Sequence, residues 1–254
     1  MTSIDIPEGT TDVRAIRGHA SQVWTRGLER RLELMRRHVD LEDKRILDLG
    51  CGVGAFMRRL EEYSGTIYGT DVERPSLLQG SEEGIGNLML AVGERMPLRD
   101  ESFDIVILHE VLEHVENDLQ TLREIRRLLA PGGSVVIFVP NRLYPFETHG
   151  IFLGKRYVFG NIPFVNYLPN FVRNRLVPHA RAYTKGGLRR IYRKAGLRAK
   201  VHTFVFPGFD HVMARRKLAG RALRWLLYPL ENTPLRNLGL SHFVVLTKED
   251  RTTT

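Results

Sequence analysis

The alternation of strand-like and helical segments is the feature that most constrains the fold of this 254-residue chain. The strand-like runs are rich in apolar residues with little alternation, which is typical of strands that are covered on both faces of a sheet. Strands that alternate with helices form βαβ units with right-handed crossovers, which predicts a parallel sheet. The first five runs are residues 45–50, 65–71, 87–93, 103–110 and 134–140.

The segments around these five runs complete the predicted architecture. Two later strand-like runs, 197–206 and 242–249, bring the predicted strands to seven. An N-terminal helical pattern spaces apolar residues three to five positions apart: Val23, Leu28, Leu32, Met35 and Val39. We therefore predict one α/β domain over 1–254, with a doubly wound, Rossmann-like, mostly parallel seven-stranded sheet and helices on both faces. It comprises an N-terminal helical segment (1–40), a core (41–141) and insertions after strands five and six (142–183 and 207–240).

Charge is distributed unevenly along the chain. Residues 142–224 contain 18 Lys and Arg against 2 Asp and Glu, whereas residues 1–141 contain 17 against 24. Such a basic block favours binding to a polyanion, an anionic membrane surface or an acidic substrate, and a solvated cationic face is the alternative. The single cysteine, Cys51, excludes an intrachain disulfide and favours a reducing compartment. With no apolar run of bilayer length and no secretory signal pattern, we expect a cytoplasmic protein that can contact the inner face of the membrane peripherally.

A glycine-rich loop, DLGCGVG (48–54), follows the first predicted strand. Glycines let a backbone turn sharply and approach a ligand closely. Asp71 ends the second predicted strand 17 residues beyond Gly54, where a carboxylate can accept hydrogen bonds from a ribose diol. The pattern predicts an adenosine cofactor. The dinucleotide-binding pattern also fits, with Ala55 in its third small-residue position.

Four segments extend this pattern: ILDLGCGVG (46–54), YGTDVE (68–73), GERMPLRDESFDIVILHEVLEHV (93–115) and LLAPGGSVVIFVPN (128–141). In this order and spacing they resemble class I S-adenosylmethionine-dependent methyltransferases, with a likeness to the type 11 and quinone-biosynthesis methylases. The resemblance covers roughly residues 40–141 and the final strands. It implies a methyltransferase that uses S-adenosylmethionine as cofactor, and a nucleotide-binding oxidoreductase is the alternative.

The resemblance also implies roles for individual cofactor-binding residues. The loop residues Asp48, Gly50, Cys51, Gly52 and Gly54 would hold the methionine part and the sugar. Asp71 would hold the ribose hydroxyls, and His109 would close the site on the methionine side. Relatives commonly carry Asp where this chain has Val92, so the adenine contacts would come from the residues nearby: Val72, Gly93, Glu94, Arg95 and Met96. The Cys51 side chain is expected to be structural rather than redox-sensitive.

Candidate catalytic residues follow strands four and five, whose carboxyl ends face the ligand in doubly wound sheets. Methyl transfer is an in-line displacement that depends on positioning, and a hydroxyl nucleophile benefits from a base. Residues 140–150 (PNRLYPFETHG) offer Tyr144, Glu147 and His149, and His179 lies in a second polar cluster that can return to the same cleft. For each of these four residues, packing within a loop is the alternative.

A further acidic and histidine-containing segment, EVLEHV (110–115), follows strand four. We predict that Glu110, Glu113 and His114 lie on a helix there, with Glu110 and His114 on one face. One interpretation is a pair of general bases or a metal site, and we favour a role in stabilising the start of the helix. No Asp, Glu or His cluster has convincing metal-ligand spacing along the chain, so we predict no required metal.

The two insertions provide the remaining indications of the acceptor. Residues 142–183 are rich in aromatic and aliphatic side chains broken by Gly and Pro, which suits the roof of an apolar pocket or contact with a membrane. Residues 212–228 predict a basic amphipathic helix of the kind that lies on anionic lipid, and packing on the sheet edge is the alternative.

We expect methylation of O or C on a hydrophobic small molecule such as a quinol, phenol or lipid-linked intermediate. An RNA methyltransferase is less favoured, because no RNA-binding domain or target-base motif is found; a non-catalytic S-adenosylmethionine-binding module is the third hypothesis.

Overall fold

The computed structural model describes residues 25–154 and 156–248, and the predictions for Val23 and for the C-terminal residues after 248 lie outside this range. The strands in the described ranges are β1 (Ile46–Leu49), β2 (Ile67–Asp71), β3 (Leu88–Leu90), β4 (Phe103–His109), β5 (Leu129–Pro140), β6 (Phe146–Glu147), β7 (Ile151–Leu153), β8 (Arg156–Val158), β9 (Ile162–Pro163), β10 (Leu197–Val205) and β11 (Ser241–Lys248). The helices are α1 (Thr25–Arg36), α2 (Met57–Leu60), α3 (Arg74–Glu82), α4 (Asp118–Leu128), α5 (Asn170–Leu176), α6 (Lys185–Lys194), α7 (Asp210–Arg215) and α8 (Lys217–Leu227).

Seven of the strands form one sheet in the order β3-β2-β1-β4-β5-β11-β10. The five strands from β3 to β5 are parallel to one another, and β11 runs antiparallel between β5 and β10. The strand order reverses beside β1, and ligands of such sheets bind outside the carboxyl ends of the strands at this point. The predicted mostly parallel, seven-stranded, doubly wound fold is confirmed.

Helices cover both faces of the sheet because successive residues of a strand point to opposite sides. Ile46 packs in a cluster with α1 residues, and the next residue, Leu47, packs in a second cluster with α4 and α6 residues. The N-terminal apolar pattern is confirmed for the described residues Leu28, Leu32, Met35 and Val39, all of which are buried. Each face of the sheet therefore has its own apolar core.

Two polar side chains fix where the helices on one face begin. The Asn117 side chain accepts a hydrogen bond from the Gln120 amide (3.0 Å) at the start of α4. The Thr184 hydroxyl accepts one from the Gly187 amide (3.1 Å) at the start of α6. Such caps satisfy backbone donors that have no partner inside the helix.

The insertion after β5 has more regular structure than its sequence indicates. It forms two antiparallel ribbons, β6 with β9 and β7 with β8, followed by α5. A small apolar cluster of its own holds it together: Ile151, Val165, Val177 and Ala180. Within the described residues, no helix has both the length and the apolar character needed to cross a bilayer.

Candidate active site

The glycine loop connects β1 to α2 at the carboxyl edge of the sheet. Gly50, Gly52 and Gly54 have φ values of 76°, 55° and 79°, a region that side chains disfavour. A Cβ atom added to Gly50 would lie 2.4 Å from a methyl group of Val111, so the loop also needs glycine for space. These two constraints explain the glycine spacing.

Asp71, at the end of β2, ties this loop to the neighbouring strand. One carboxylate oxygen accepts a hydrogen bond from the Gly52 amide (2.8 Å) and the other accepts one from the Glu73 amide (2.8 Å). Each carboxylate oxygen can accept a second hydrogen bond. The carboxylate is thus held in place with acceptor capacity remaining for a ligand.

Asp48 is the least satisfied polar group of the loop region. Its side chain is buried in β1, and Oδ2 has no hydrogen-bond partner among the described residues. Burial, reinforced by the nearby Asp71 carboxylate, raises the pKa of Asp48 to about 8. An ammonium group placed against Oδ2 would remove the cause of this shift.

The predicted adenine-contacting residues differ in accessibility. Val72 is exposed beyond β2, and Leu90 and Val92 are exposed on the next strand and just after it, so they form the accessible apolar surface here. The Met96 side chain is instead packed in the core. Leu90 was missed because a three-residue strand gives no clear alternation.

The remaining residues of this stretch take part in a turn and in capping. Gly93 is buried, and Arg95 is exposed and bridges back to Val92. The Glu94 carboxylate accepts a hydrogen bond from the Asn117 amide (3.0 Å). Their predicted contacts with adenine stay predictions.

Cys51 is buried inside the loop. Burial is the main reason that the pKa of its thiol lies far above the ordinary value of 9.0. A thiol that stays protonated is a poor nucleophile, which agrees with the expected structural role.

His109, at the end of β4, lies under a buried arginine that sequence reasoning missed. Arg31 of α1 lies 2.5 Å from His109 Nε2 and donates to the Glu110 carboxylate (2.6 Å) and the Ser241 hydroxyl (3.2 Å). Burial and the Arg31 charge lower the pKa of His109 to about 3, so the imidazole is neutral. The His109 ring stacks on Phe56, just after the glycine loop (5.2 Å between centroids).

The sequence does contain an indication of Arg31. It falls three residues after Leu28, and this spacing puts it on the buried face of α1.

The predicted helix over residues 110–115 does not form. Glu110 has a φ of 58°, and the segment continues as turns until Asn117 caps α4. Glu110 and His114 therefore do not share a helical face. The turn instead directs Glu113 into the interior, where its side chain is fully buried.

Glu147 and His149 form a hydrogen-bonded pair in the insertion. The His149 Nδ1 atom lies 2.9 Å from Glu147 Oε1, and Glu147 Oε2 accepts from the buried Arg173 (2.7 Å). Burial raises the pKa of Glu147, but His149 and Arg173 outweigh it and hold the value at about 2. Arg173 was missed because nothing in the sequence distinguishes it from the other arginines of the basic block.

His149 also faces the turn after β4. Its Nε2 atom lies 3.9 Å from Glu113 Oε1, which is also 3.9 Å from His114 Nε2. The ligand atoms of these three residues all lie within 4.8 Å of one another. Spacing along the chain could not indicate this cluster, because His149 comes from a different element than Glu113 and His114.

His179 and Tyr144 complete the predicted catalytic set. His179 Nε2 donates to the backbone oxygen of His149 (3.0 Å), and the backbone oxygen of His179 accepts from His114 Nδ1 (2.8 Å). Tyr144 lies at the start of the insertion, and burial raises its pKa to about 12. His179 thus links the turn after β4 to the insertion, and the catalytic roles of both residues stay predictions.

A family model agrees with this geometry. Residues 47–137, from β1 to β5, match the model of a methyltransferase domain. The match includes the glycine loop, Asp71, His109 and the turn that holds Glu113 and His114.

Curated relatives match a little under half of the chain. A ubiquinone biosynthesis O-methyltransferase of Nitrosococcus oceani is 35% identical over 118 residues, which cover 44% of this chain and 50% of the relative. One of Parvibaculum lavamentivorans is 28% identical over 127 residues, covering 48% and 50%. The chain spans about half the length of the curated relatives it matches.

Solved structures are similar over most of the chain. An S-adenosylmethionine-dependent methyltransferase from Mesorhizobium loti superposes with a TM-score of 0.62 at 19% identity, covering 87% of this chain and 99% of that one. The cyclase SpnF is also similar, with a TM-score of 0.55 at 19% identity, covering 87% and 80%. At these identities the likeness shows the fold, and the family model covers residues 47–137, about a third of the chain. This part of the chain therefore matches a methyltransferase domain, and its fold is one that S-adenosylmethionine-dependent methyltransferases also have.

Proposed function

We propose that this chain transfers a methyl group from S-adenosylmethionine to a hydroxyl oxygen of a hydrophobic small molecule, a phenol, quinol or lipid-linked intermediate. The observation that carries this proposal is the glycine loop tied to Asp71 at the carboxyl ends of β1 and β2. Oxygen is favoured over carbon because the curated relatives are O-methyltransferases.

The residues of the loop region fit the parts of the methyl donor. The unpartnered Asp48 oxygen suits the donor's amino group, and the remaining acceptor capacity of Asp71 suits its ribose hydroxyls. The exposed apolar surface of Val72, Leu90 and Val92 suits the adenine ring. His109 closes the methionine side as a neutral imidazole.

The acceptor is assigned to the space between the turn after β4 and the insertion. Val111 packs against Gly50, so this turn lies directly beside the glycine loop. Since His149 Nδ1 is bonded to Glu147, its Nε2 atom is left to interact with an acceptor hydroxyl. Tyr144 and Phe146, whose rings lie 5.7 Å apart, supply apolar surface at the start of the insertion.

Methyl transfer can be tested directly with labelled S-adenosylmethionine and a prenylated phenol presented in detergent or vesicles. We expect label in the phenol ether with the wild-type protein and with Asp40→Asn, and loss of at least ~90% of the rate with Asp71→Asn. Asp40 is a matched control, because its carboxylate also accepts from the amide two residues on but lies on the surface. Cofactor binding without transfer to any phenol or lipid extract would instead support the non-catalytic module.

Peripheral contact with anionic membrane is a second part of the proposal. Phe171 in the first insertion and Trp225 on α8 are 80% and 81% exposed, although both are large apolar residues. The apolar face of α8 is thus not packed on the sheet edge, and Arg215, Arg216 and Lys217 are exposed beside it. Apolar side chains flanked by cations suit a surface of anionic lipid.

Vesicle co-sedimentation tests this contact. We expect binding to vesicles that contain phosphatidylglycerol and little binding to pure phosphatidylcholine. Trp225→Ala should weaken binding roughly 10- to 100-fold, because burying a large apolar side chain contributes about 1.5–3 kcal/mol. Leu78→Ala, which removes a 52% exposed side chain from α3, should have no effect. Tight binding to RNA at the same salt, with none to vesicles, would favour the RNA methyltransferase.

A further inference from the structure

We propose that Glu113, His114 and His149 bind one divalent first-row transition-metal ion between the turn after β4 and the insertion. This inference goes beyond the proposed methyl transfer, and it rests on that proposal only for what the ion does there. It also replaces the expectation of no required metal, which considered spacing along the chain alone.

The hydrogen bonds of the two histidines leave the Nε2 atom of each ring facing the cluster. His114 Nδ1 lies 2.8 Å from the backbone oxygen of His179, and His149 Nδ1 lies 2.9 Å from Glu147 Oε1. Carbonyl and carboxylate oxygens only accept, so each Nδ1 atom is the donor in its hydrogen bond. The Nε2 atom of each ring is therefore the one left to bind an ion, and both Nε2 atoms lie near Glu113.

Glu113 provides the third ligand atom of the cluster. Its side chain is fully buried, and neither carboxylate oxygen has a hydrogen-bond partner in the part of the chain that the structure describes. His114 Nε2 is likewise buried without a partner there. Buried polar groups are normally hydrogen-bonded, and buried charges are paired or coordinate a metal. At 3.9 Å, Glu113 Oε1 is too far from either Nε2 atom for a hydrogen bond, and a cation between the three groups satisfies all of them.

The distances suit a site that closes slightly around an ion. Glu113 Oε1 lies 3.9 Å from each of the two Nε2 atoms, and all three ligand atoms lie within 4.8 Å of one another. Metal–ligand bonds of about 2.0–2.2 Å place neighbouring ligand atoms roughly 3–3.5 Å apart. Small side-chain rotations bring the ligands to this spacing.

The surroundings of the cluster resemble the support that metal ligands need. Ligating histidines usually donate their other N–H to a carbonyl or carboxylate, as both do here. Glu147, which orients His149, is itself held by Arg173 through a 2.7 Å ion pair. Both rings are therefore oriented towards the site before any ion binds.

The ligand types select the class of ion and its role. Two imidazoles and one carboxylate favour first-row transition metals such as Zn²⁺ or Co²⁺ over Mg²⁺ or Ca²⁺. Three protein ligands leave a position open for an oxygen of the acceptor. An ion there lowers the pKa of the bound hydroxyl and orients its oxygen. With an ion bound, His149 acts as a ligand, and the proton that the ion-bound hydroxyl loses passes to solvent water.

Titration of the metal-free protein with Co²⁺ tests the site, because cobalt binding is followed by calorimetry and by visible absorption. We expect one ion per chain in the wild type, and loss of that binding in Glu113→Gln and in His149→Gln. Glu147→Gln should retain the site with an affinity lowered ~10- to 100-fold, since it disturbs only the support of His149.

His202→Gln is the matched control. His202 also has a buried ring nitrogen without a partner among the described residues, but it lies on β10 against His242. The His202→Gln variant should bind Co²⁺ as the wild type does. Each preparation is also titrated with S-adenosylhomocysteine, which reports folding and cofactor binding independently of the metal.

A wild-type protein that binds S-adenosylhomocysteine but takes up no Co²⁺ or Zn²⁺ would overturn the metal site and leave the proposed methyl transfer standing. Equal uptake by Glu113→Gln and His149→Gln would overturn it too. Failure to bind S-adenosylhomocysteine, with one Co²⁺ still bound, would instead count against the proposed function and for the metal site.

Discussion

Asp48 has the environment least compatible with a charged carboxylate among the loop residues. Its side chain is buried, one oxygen has no partner in the described ranges, and its pKa is raised from 3.8 to about 8 by burial and by Asp71. The folded chain therefore holds this proton more tightly than the unfolded chain. The resulting stabilisation is complete below about pH 4 and is lost as the pH rises through about 8.

This predicts a specific pH dependence. Between pH 4 and pH 8 the melting temperature of ligand-free wild type should fall relative to that of Asp48→Asn, because the amide cannot ionise. In terms of the free energy of unfolding, the two pH curves should differ in slope by at most about 1.4 kcal/mol per pH unit, the value for one proton. Thermal unfolding followed by circular dichroism measures it, and parallel pH curves for the two proteins would contradict the assignment.

Individual site residues were predictable where they belong to short motifs of the sequence. The glycines and Asp71 belong to short motifs at strand ends, so their proximity follows from the fold. Glu113 and His149 were not predictable as neighbours, because the path of the insertion after β5 brings them together. Arg31 could have been found, since an arginine in the apolar phase of α1 is unusual in a surface helix.

At the scale of elements, α1 is joined to the sheet by a buried ion pair as well as by apolar packing. Arg31 donates to Glu110 (2.6 Å), and its guanidinium lies 5.0 Å from the Phe138 ring. Burial raises the pKa of Glu110, but the charge of Arg31 outweighs it and lowers the pKa to about 2. Removing Arg31 leaves this carboxylate buried without its partner.

Arg31→Met should therefore lower the free energy of unfolding by about 3–5 kcal/mol, the usual cost of breaking a buried pair. Arg37→Met removes an exposed arginine of the same region, paired with Glu33, and should change stability by less than about 1 kcal/mol. Denaturant unfolding compares the two. A similar small loss in both variants would show that the buried pair does not anchor α1.

The seven strands of the sheet were predictable because each contains an apolar run, and most of their bounds differ little from the prediction. Two strands differ more: β3 is limited to Leu88–Leu90 rather than 87–93, and β5 begins at Leu129, where Phe103 pairs with it, rather than at Ser134. The ribbons of the insertion were not predictable, because strands of two or three residues are too short to show a period. The helix expected at 110–115 fails because Glu110 takes a positive φ.

On the scale of the whole molecule, the family model matches about a third of the chain, residues 47–137. This matched part contains the glycine loop and Asp71. The rest of the chain contributes Glu147, His149 and the exposed residues Phe171 and Trp225. We therefore expect the matched part to determine the methyl donor, and the rest to determine the acceptor and whether it is bound at a membrane.

Calorimetric titration with S-adenosylhomocysteine tests cofactor binding by the glycine loop and Asp71, and it needs no knowledge of the acceptor. We predict one binding site per chain, unchanged in Asp40→Asn and weakened at least ~10-fold in Asp71→Asn, where a charged acceptor at the ribose is lost. No binding to a folded wild-type protein, or equal affinity in the Asp71→Asn variant, would contradict this prediction.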